Sequence, residues 1–121
     1  MSTILIVDDS GLARRRARSI LEGAGYQVVE AEDGMAAIER YFLDRPDVVL
    51  LDLVMKGMYG LDVLAKLREM DPAARVIVVS ADVQTSSHEM VEKAGAAGFL
   101  MKPVDADQVL ALVQSTLDGA K

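Results

Sequence analysis

The chain has 121 residues, enough for one domain with its own core and too few for two. Its net charge of -6 and 4% aromatic content argue against non-specific nucleic-acid binding and base stacking, while zero cysteines and the single histidine, His88, exclude disulfides, thiolate metal sites and multi-histidine zinc clusters. No run approaches the roughly 18 apolar residues of a membrane span, and Met1-Ser2-Thr3 lacks a leader pattern, so a soluble, cytoplasmic domain is expected and any metal chemistry rests on oxygen ligands.

Thr3 to Val7 is an unbroken apolar strand ending in Asp8-Asp9. Ser10 is placed to cap a helix whose apolar positions are Ala13, Ala17, Ile20, Leu21 and Ala24, stopped by Gly23 and Gly25. Tyr26 to Ala31 reads as a strand, Asp33-Gly34 as a turn, and Met35 to Phe42 as a short helix closed before Pro46. The run Val48-Val49-Leu50-Leu51 has no polar alternation, the pattern of a strand covered on both faces, and it ends in Asp52. Leu61, Leu64, Ala65 and Leu67 mark a third helix ended at Asp71-Pro72, and Arg75 to Val79 is a buried strand ending in Ser80. Gln84 to Ala94 forms a fourth helix with Met90, Val91 and Ala94 inward and Gly95 as its C′ residue. Gly98 to Met101 is a short strand followed by Lys102-Pro103, and Asp105 caps a last helix with Ala106, Val109, Leu110, Val113 and Leu117 inward. Five strands alternating with five helices imply right-handed crossovers and an α/β fold: a five-stranded parallel sheet, doubly wound, spanning residues 1–121 as a single domain.

In such a sheet the strand ends share one edge, which brings Asp8, Asp9, Asp52, Ser80 and Lys102 to one crevice. Three carboxylates about 5 Å apart repel by roughly 3 kcal/mol per pair at an effective dielectric near 20. A hard divalent cation, Mg²⁺ foremost, offsets that repulsion. Together with the Lys102 ammonium and the Ser80 hydroxyl it binds phosphoryl oxygens, leaving one carboxylate free to act as nucleophile. Taken singly, each residue has a plainer reading, as an exposed turn, a cap or a solvated lysine. It is their joint placement that points to phosphoryl chemistry.

These residues, over the whole chain, resemble the receiver domain of two-component response regulators, in particular the single-domain chemotaxis regulators with their flavodoxin-like (βα)5 fold. Asp8-Asp9 match the family's acidic pair, Asp52 its phospho-acceptor, Ser80 its Ser/Thr position and Lys102-Pro103 its lysine and following proline. The resemblance implies that Asp9, Asp52 and the Val54 carbonyl hold Mg²⁺ directly and Asp8 through water. It implies that Lys102 and Ser80 bind phosphoryl oxygens, that the Lys102–Pro103 peptide is cis, and that Phe99 and Ser80 switch the face made by helix four, strand five and helix five. Partners would be a histidine kinase or histidine phosphotransfer protein and a downstream target, with no direct nucleic-acid or membrane contact, the protein being a monomer or a phosphorylation-dependent dimer. Such a domain catalyses its own phosphorylation and dephosphorylation without being a turnover enzyme, and here no output domain is expected. Chemotaxis is suggested by the stand-alone form alone.

The first helix carries Arg14-Arg15-Arg16 and Arg18, with Arg15 and Arg18 opposite the apolar stripe and Arg14 and Arg16 flanking it. Since phosphodonors of the family dock on the first helix, Arg14, Arg15 and Arg18 are candidate docking residues, and Leu112, outside the stripe of the last helix, is a candidate for a partner or dimer surface. Three departures from the family stand out. Lys56 replaces the usual proline after Met55, Phe99 lacks a tyrosine hydroxyl, and Val54 cannot orient a water as an amide or acid would. The phosphoryl group is therefore expected to hydrolyse slowly without a partner's help, with Asp82 a candidate to fill part of that role. The alternative readings are a phosphorylation-independent interaction module of the same fold and a flavodoxin-like redox carrier. Asp8-Asp9 in the first loop would repel a flavin phosphate, and the full set of five site residues weighs against the interaction module.

Overall fold

Five short strands and five helices alternate along the chain: β1 (Thr3–Val7), α1 (Gly11–Gly23), β2 (Gln27–Ala31), α2 (Gly34–Asp44), β3 (Val48–Asp52), α3 (Gly60–Met70), β4 (Val76–Ser80), α4 (Thr85–Lys93), β5 (Gly98–Met101) and α5 (Ala106–Asp118). The structure is a computed structural model describing residues 2–55, 59–81 and 85–119, with the backbone alone for 85–88. All four strand pairings are parallel, in the order β2-β1-β3-β4-β5. The chain thus starts near the middle of the sheet, winds outwards to β2, then crosses back over β1 to build the other half. That reversal places the ends of β1 and β3 side by side at the topological switch point, where doubly wound sheets bind ligands.

Period-two alternation sorts each strand between two apolar layers. Leu5, Val7, Val49, Leu51, Val76 and Val78 face one layer, where they meet Ala37 and Tyr41 of α2, Val63, Leu64 and Leu67 of α3 and Val91 of α4. Ile4, Ile6, Val48, Leu50, Ile77 and Val79 face the other, against Ala17 and Leu21 of α1 and Val109 and Val113 of α5. Both layers are needed because every residue of β3 and β4 is buried, so neither face of the central strands meets water. Among the described residues no helix is long and apolar enough to cross a membrane.

Local chemistry sets the helix ends. Ser10, Asp33 and Asp105 each accept a hydrogen bond from a backbone N–H three residues on, at Ala13 (3.2 Å), Ala36 (2.8 Å) and Gln108 (3.1 Å). Asp33 is therefore a helix cap as well as a turn residue, and α2 extends to Asp44, where Arg45 takes the left-handed conformation at φ 45°. Gly95 follows α4 at φ 93°, as expected for a C′ glycine.

Four residues expected inward are exposed: Ala24, Ala65, Met90 and Ala106. The stripe of α3 runs through Val63, Leu64 and Leu67, which turns Ala65 away from the sheet. Ala24 is the C-cap residue of α1 and Ala106 the first residue of α5, so both sit at the ends of their helices. On α4, Val91 occupies the core position and its neighbour Met90 faces out at 51% exposure. Leu112, in contrast, is half-buried and packs with the α1–α5 layer. Its methyl groups lie over Gly98, whose missing side chain makes room for them.

Candidate functional site

Each strand of the sheet's central half delivers one polar group to the C-terminal edge. β1 runs into Asp8, β3 ends on Asp52 and β4 on Ser80, and these three are the only buried polar or charged residues among those described. Pairing register sets their neighbourhood. Leu53 donates its N–H to the Val79 carbonyl at 3.0 Å and Lys102 donates its own to the Ser80 carbonyl at 2.9 Å, tying the ends of β3, β4 and β5 together. The Lys102–Pro103 peptide is cis, as the resemblance implied.

The Lys102 ammonium bridges the two buried acids, donating to Asp8 Oδ2 at 2.7 Å and Asp52 Oδ2 at 3.2 Å. The remaining carboxylate oxygens take backbone donors, Ser10 N–H to Asp8 Oδ1 at 2.9 Å and Val54 N–H to Asp52 Oδ1 at 3.3 Å. Asp9 is exposed, and an oxygen from each of Asp8, Asp9 and Asp52 falls within 4.8 Å of the others. One ammonium thus serves both buried carboxylates, with a third carboxylate beside them. Burial, followed by the charge of Asp8, pushes the Asp52 carboxyl above the ordinary carboxylate value despite Lys102. Burial works against the charge of Lys102, but its hydrogen bond to Asp8 and the charges of Asp52 and Asp8 outweigh it and hold the ammonium above its usual pKa. The donor set is all hard oxygen and clustered, which suits a divalent cation such as Mg²⁺.

Asp8, Asp9, Asp52, Ser80 and Lys102 are thus gathered at one edge as the alternation of strands and helices predicts. Val54 lies at the rim and is 63% exposed, and Phe99 on β5 is half-buried against the α2–α3–α4 layer. Phe99 borders a small cavity of about 120 Å³ beside Val91 of α4. A larger cleft of about 370 Å³ opens from the acidic cluster between α1 and the β5–α5 loop, walled by Leu12, Ala13, Pro103 and Val104. Lys56 and Asp82 lie outside the described residues, as does the side chain of His88.

The arginines of α1 are placed differently from a simple solvated patch. Arg14 donates through Nε to Glu30 of β2 at 2.9 Å and through Nη1 to the backbone carbonyl of Asp8 at 2.6 Å. Arg18 donates to the other oxygen of Glu30, to Glu22 at 3.2 Å and to the Val28 carbonyl at 3.3 Å. Burial alone would raise the Glu30 carboxyl, but the hydrogen bonds from Arg18 and Arg14 overcome it and hold the group below its usual value. Arg16 reaches the Val104 carbonyl at 2.8 Å, and Arg15 is exposed. Of the three candidate docking arginines, two have their guanidinium forks turned to β2. Glu30 carries no motif of its own, and its part in the site follows from the pairing of β2 beside β1.

Comparison with known proteins agrees with this geometry. Residues 4–114 match the response regulator receiver domain. The chain is 40% identical over 116 residues to chemotaxis protein CheY of Bacillus subtilis (strain 168), covering 95% of this chain and 97% of that protein. It is 40% identical over 120 residues to the nitrate/nitrite response regulator protein NarP of Escherichia coli (strain K12), covering 98% of this chain and 56% of NarP. Among solved structures it superposes on a CheY-like response regulator receiver domain protein from Methanospirillum hungatei JF-1 with a TM-score of 0.94 at 27% identity, covering 99% of this chain and 96% of that one. With a receiver-domain match over nearly its whole length, relatives at 40% identity and an acid–lysine cluster at the sheet's switch point, the chain belongs to the response regulator receiver domain family of two-component signalling.

Proposed function

We propose that this chain is a phosphoryl-accepting, cytoplasmic signalling domain in which Asp52 takes a phosphoryl group from a phosphohistidine of a kinase or phosphotransfer protein. The observation that carries the reading is Lys102 bridging Asp8 and Asp52 at 2.7 and 3.2 Å beside a third carboxylate within 4.8 Å. This is an arrangement that gains little as a structural ion pair and much as a prepared phosphoryl site. Asp52, with a desolvated carboxylate at the strand end, supplies the nucleophilic oxygen. An O–P bond forms as the P–N bond breaks, and the electron pair of that bond leaves on the imidazole nitrogen, which takes up a proton. Lys102 then exchanges a carboxylate partner for a phosphoryl oxygen, with the Ser80 hydroxyl as a second donor. Asp8, Asp9, Asp52 and the Val54 carbonyl would hold Mg²⁺, which when bound supplies charge to the transferring oxygens.

The downstream step is a shift of population. Drawing Ser80 inward frees space for Phe99, and the face of α4, β5 and α5 changes shape for a target protein. Since Phe99 carries no hydroxyl, burial of its ring is the driving change. Hydrolysis of the aspartyl phosphate is slow unless a partner assists, because Val54 offers no group to orient water.

The test is titration with beryllofluoride or acetyl phosphate, with and without Mg²⁺, read by mass spectrometry and NMR. A Mg²⁺-dependent adduct of one phosphoryl per chain that vanishes in Asp52→Asn is expected. No adduct at saturating donor would instead favour a phosphorylation-independent interaction module.

A further inference from the structure

We propose that Arg14 is a positioning residue for the acidic pair, fixing the peptide between Asp8 and Asp9 so that both carboxylates are presented to a cation. The inference rests on the reading above that this pair holds Mg²⁺. Every polar group of Asp8 is engaged: its N–H donates to the Ala31 carbonyl at 3.2 Å, its two carboxylate oxygens accept from Ser10 and Lys102, and its carbonyl accepts from Arg14 at 2.6 Å. Of these four contacts of Asp8, the one to the carbonyl bears directly on the plane of the 8–9 peptide, and therefore on the direction in which the exposed Asp9 leaves the backbone.

Arg14 can hold that plane because it is itself held. Its side chain is 18% exposed, and Nε is fastened to Glu30 of the neighbouring strand at 2.9 Å, while Arg18 fastens the other Glu30 oxygen. The planar guanidinium transmits this anchoring to Nη1, a two-point geometry that a lysine ammonium on a flexible stem does not reproduce. Supports one step outside the ligands commonly carry 10- to 100-fold in metal affinity.

Charge and position predict opposite signs here. Removing a cation beside three carboxylates tightens Mg²⁺ binding if Arg14 acts through its charge alone. If it acts by position, the same change weakens binding.

The experiment is calorimetric titration of Mg²⁺ into wild type, Arg14→Ala, Arg14→Lys and the exposed control Arg15→Ala, well below the melting temperature of each. Amide spectra of the Mg²⁺-free proteins report on the fold and on the Asp9 and Ser10 resonances. The expected result is a Kd raised about 10-fold in both Arg14 variants, with the Asp9 amide shifted before any Mg²⁺ is added and Arg15→Ala unchanged or slightly tighter. Arg14→Lys keeps the charge and carries the test should the alanine variant fold poorly. A Kd that is unchanged or tighter in the folded Arg14 variants, even with a lowered melting temperature, assigns Arg14 a structural role and overturns the proposal. Failure of the wild type to bind Mg²⁺ overturns the reading of the site and this inference with it.

Discussion

Gly60 opens α3 against the backbone at the end of β3, and Gly60→Ala is the most direct probe of that contact. A Cβ there would stand 2.6 Å from the Asp52 carbonyl oxygen, 2.6 Å from Leu53 Cα and 2.7 Å from the Leu53 carbonyl oxygen. Ordinary contact begins at 3.4 Å, so the methyl is about 0.8 Å too close to three backbone atoms, none of which can rotate aside. The same Leu53 oxygen accepts the Gly60 N–H at 2.7 Å, so relief of the clash lengthens that hydrogen bond. Overpacking of this kind costs about 1–3 kcal/mol and a weakened backbone hydrogen bond adds on the order of 1 kcal/mol, which sets the expected loss at about 3 kcal/mol. Urea unfolding should show a midpoint lowered by about 1–2 M at unchanged slope. Gly23→Ala is the control, because a Cβ there meets nothing within 4 Å and a helical alanine is stabilising by about 0.5–1 kcal/mol. Because the displaced atoms include the Asp52 peptide, the rate of adduct formation should fall as well. A Gly60→Ala protein within about 0.5 kcal/mol of Gly23→Ala would refute the packing argument.

Two further predictions follow from titration. Asp52→Asn should stabilise the Mg²⁺-free protein at pH 7, since burial and the Asp8 charge raise the Asp52 pKa in the fold. A raised carboxyl pKa costs stability as pH climbs past the ordinary 3.8, so the advantage of the variant should fade below that pH. Denaturation in chelator at pH 3.5 and 7 reads this out, and a gap that widens towards acid would contradict it. Tyr41→Phe removes the 2.7 Å hydrogen bond from the buried Tyr41 hydroxyl to Asp71 at the end of α3, at a cost of about 1–2 kcal/mol at neutral pH. Burial first, then the hydrogen bond and charge of Asp71, push the Tyr41 hydroxyl up to about 12. Its contribution is therefore complete below pH 10 and lost as pH rises towards 12. The same hydrogen bond holds the Asp71 carboxyl below its usual value, a contribution present above pH 3.8 and lost as pH falls through the folded value. Melting curves of the two proteins should converge at both extremes, and parallel curves from pH 3 to 12 would count against the Tyr41–Asp71 link.

The elements and the site edge were legible because their signals are local. An apolar run such as Val48 to Leu51 announces a strand buried on both faces without reference to anything else, and parallel crossovers oblige Asp8, Asp52, Ser80 and Lys102 to one end. Helix ends written in side-chain chemistry, at Ser10, Asp105 and Gly95, were equally plain. Less legible was which face of a helix the sheet would cover. Met90 and Val91 are adjacent and both apolar, and α4 turns Val91 to the core and leaves Met90 exposed. Leu112 looked peripheral on a helical wheel, yet the bare backbone at Gly98 gives it a seat.

By itself, then, the sequence determined the class of fold, the chemical inventory of the crevice and the edge on which it lies, because strand periodicity and strand-end residues are properties of neighbouring positions. Tertiary structure alone decided how that inventory is supported. That Arg14 serves Glu30 and the Asp8 carbonyl rather than solvent depends on β2 lying beside β1 and on the pitch at which α1 crosses them. That Gly60 tolerates no side chain depends on α3 starting against Asp52 and Leu53. The 2.6 Å contact between Arg14 and the Asp8 carbonyl six positions away, and the lack of room for a Cβ at Gly60 beside Asp52 eight positions away, arise from packing in three dimensions, and no local pattern of residue types encodes them.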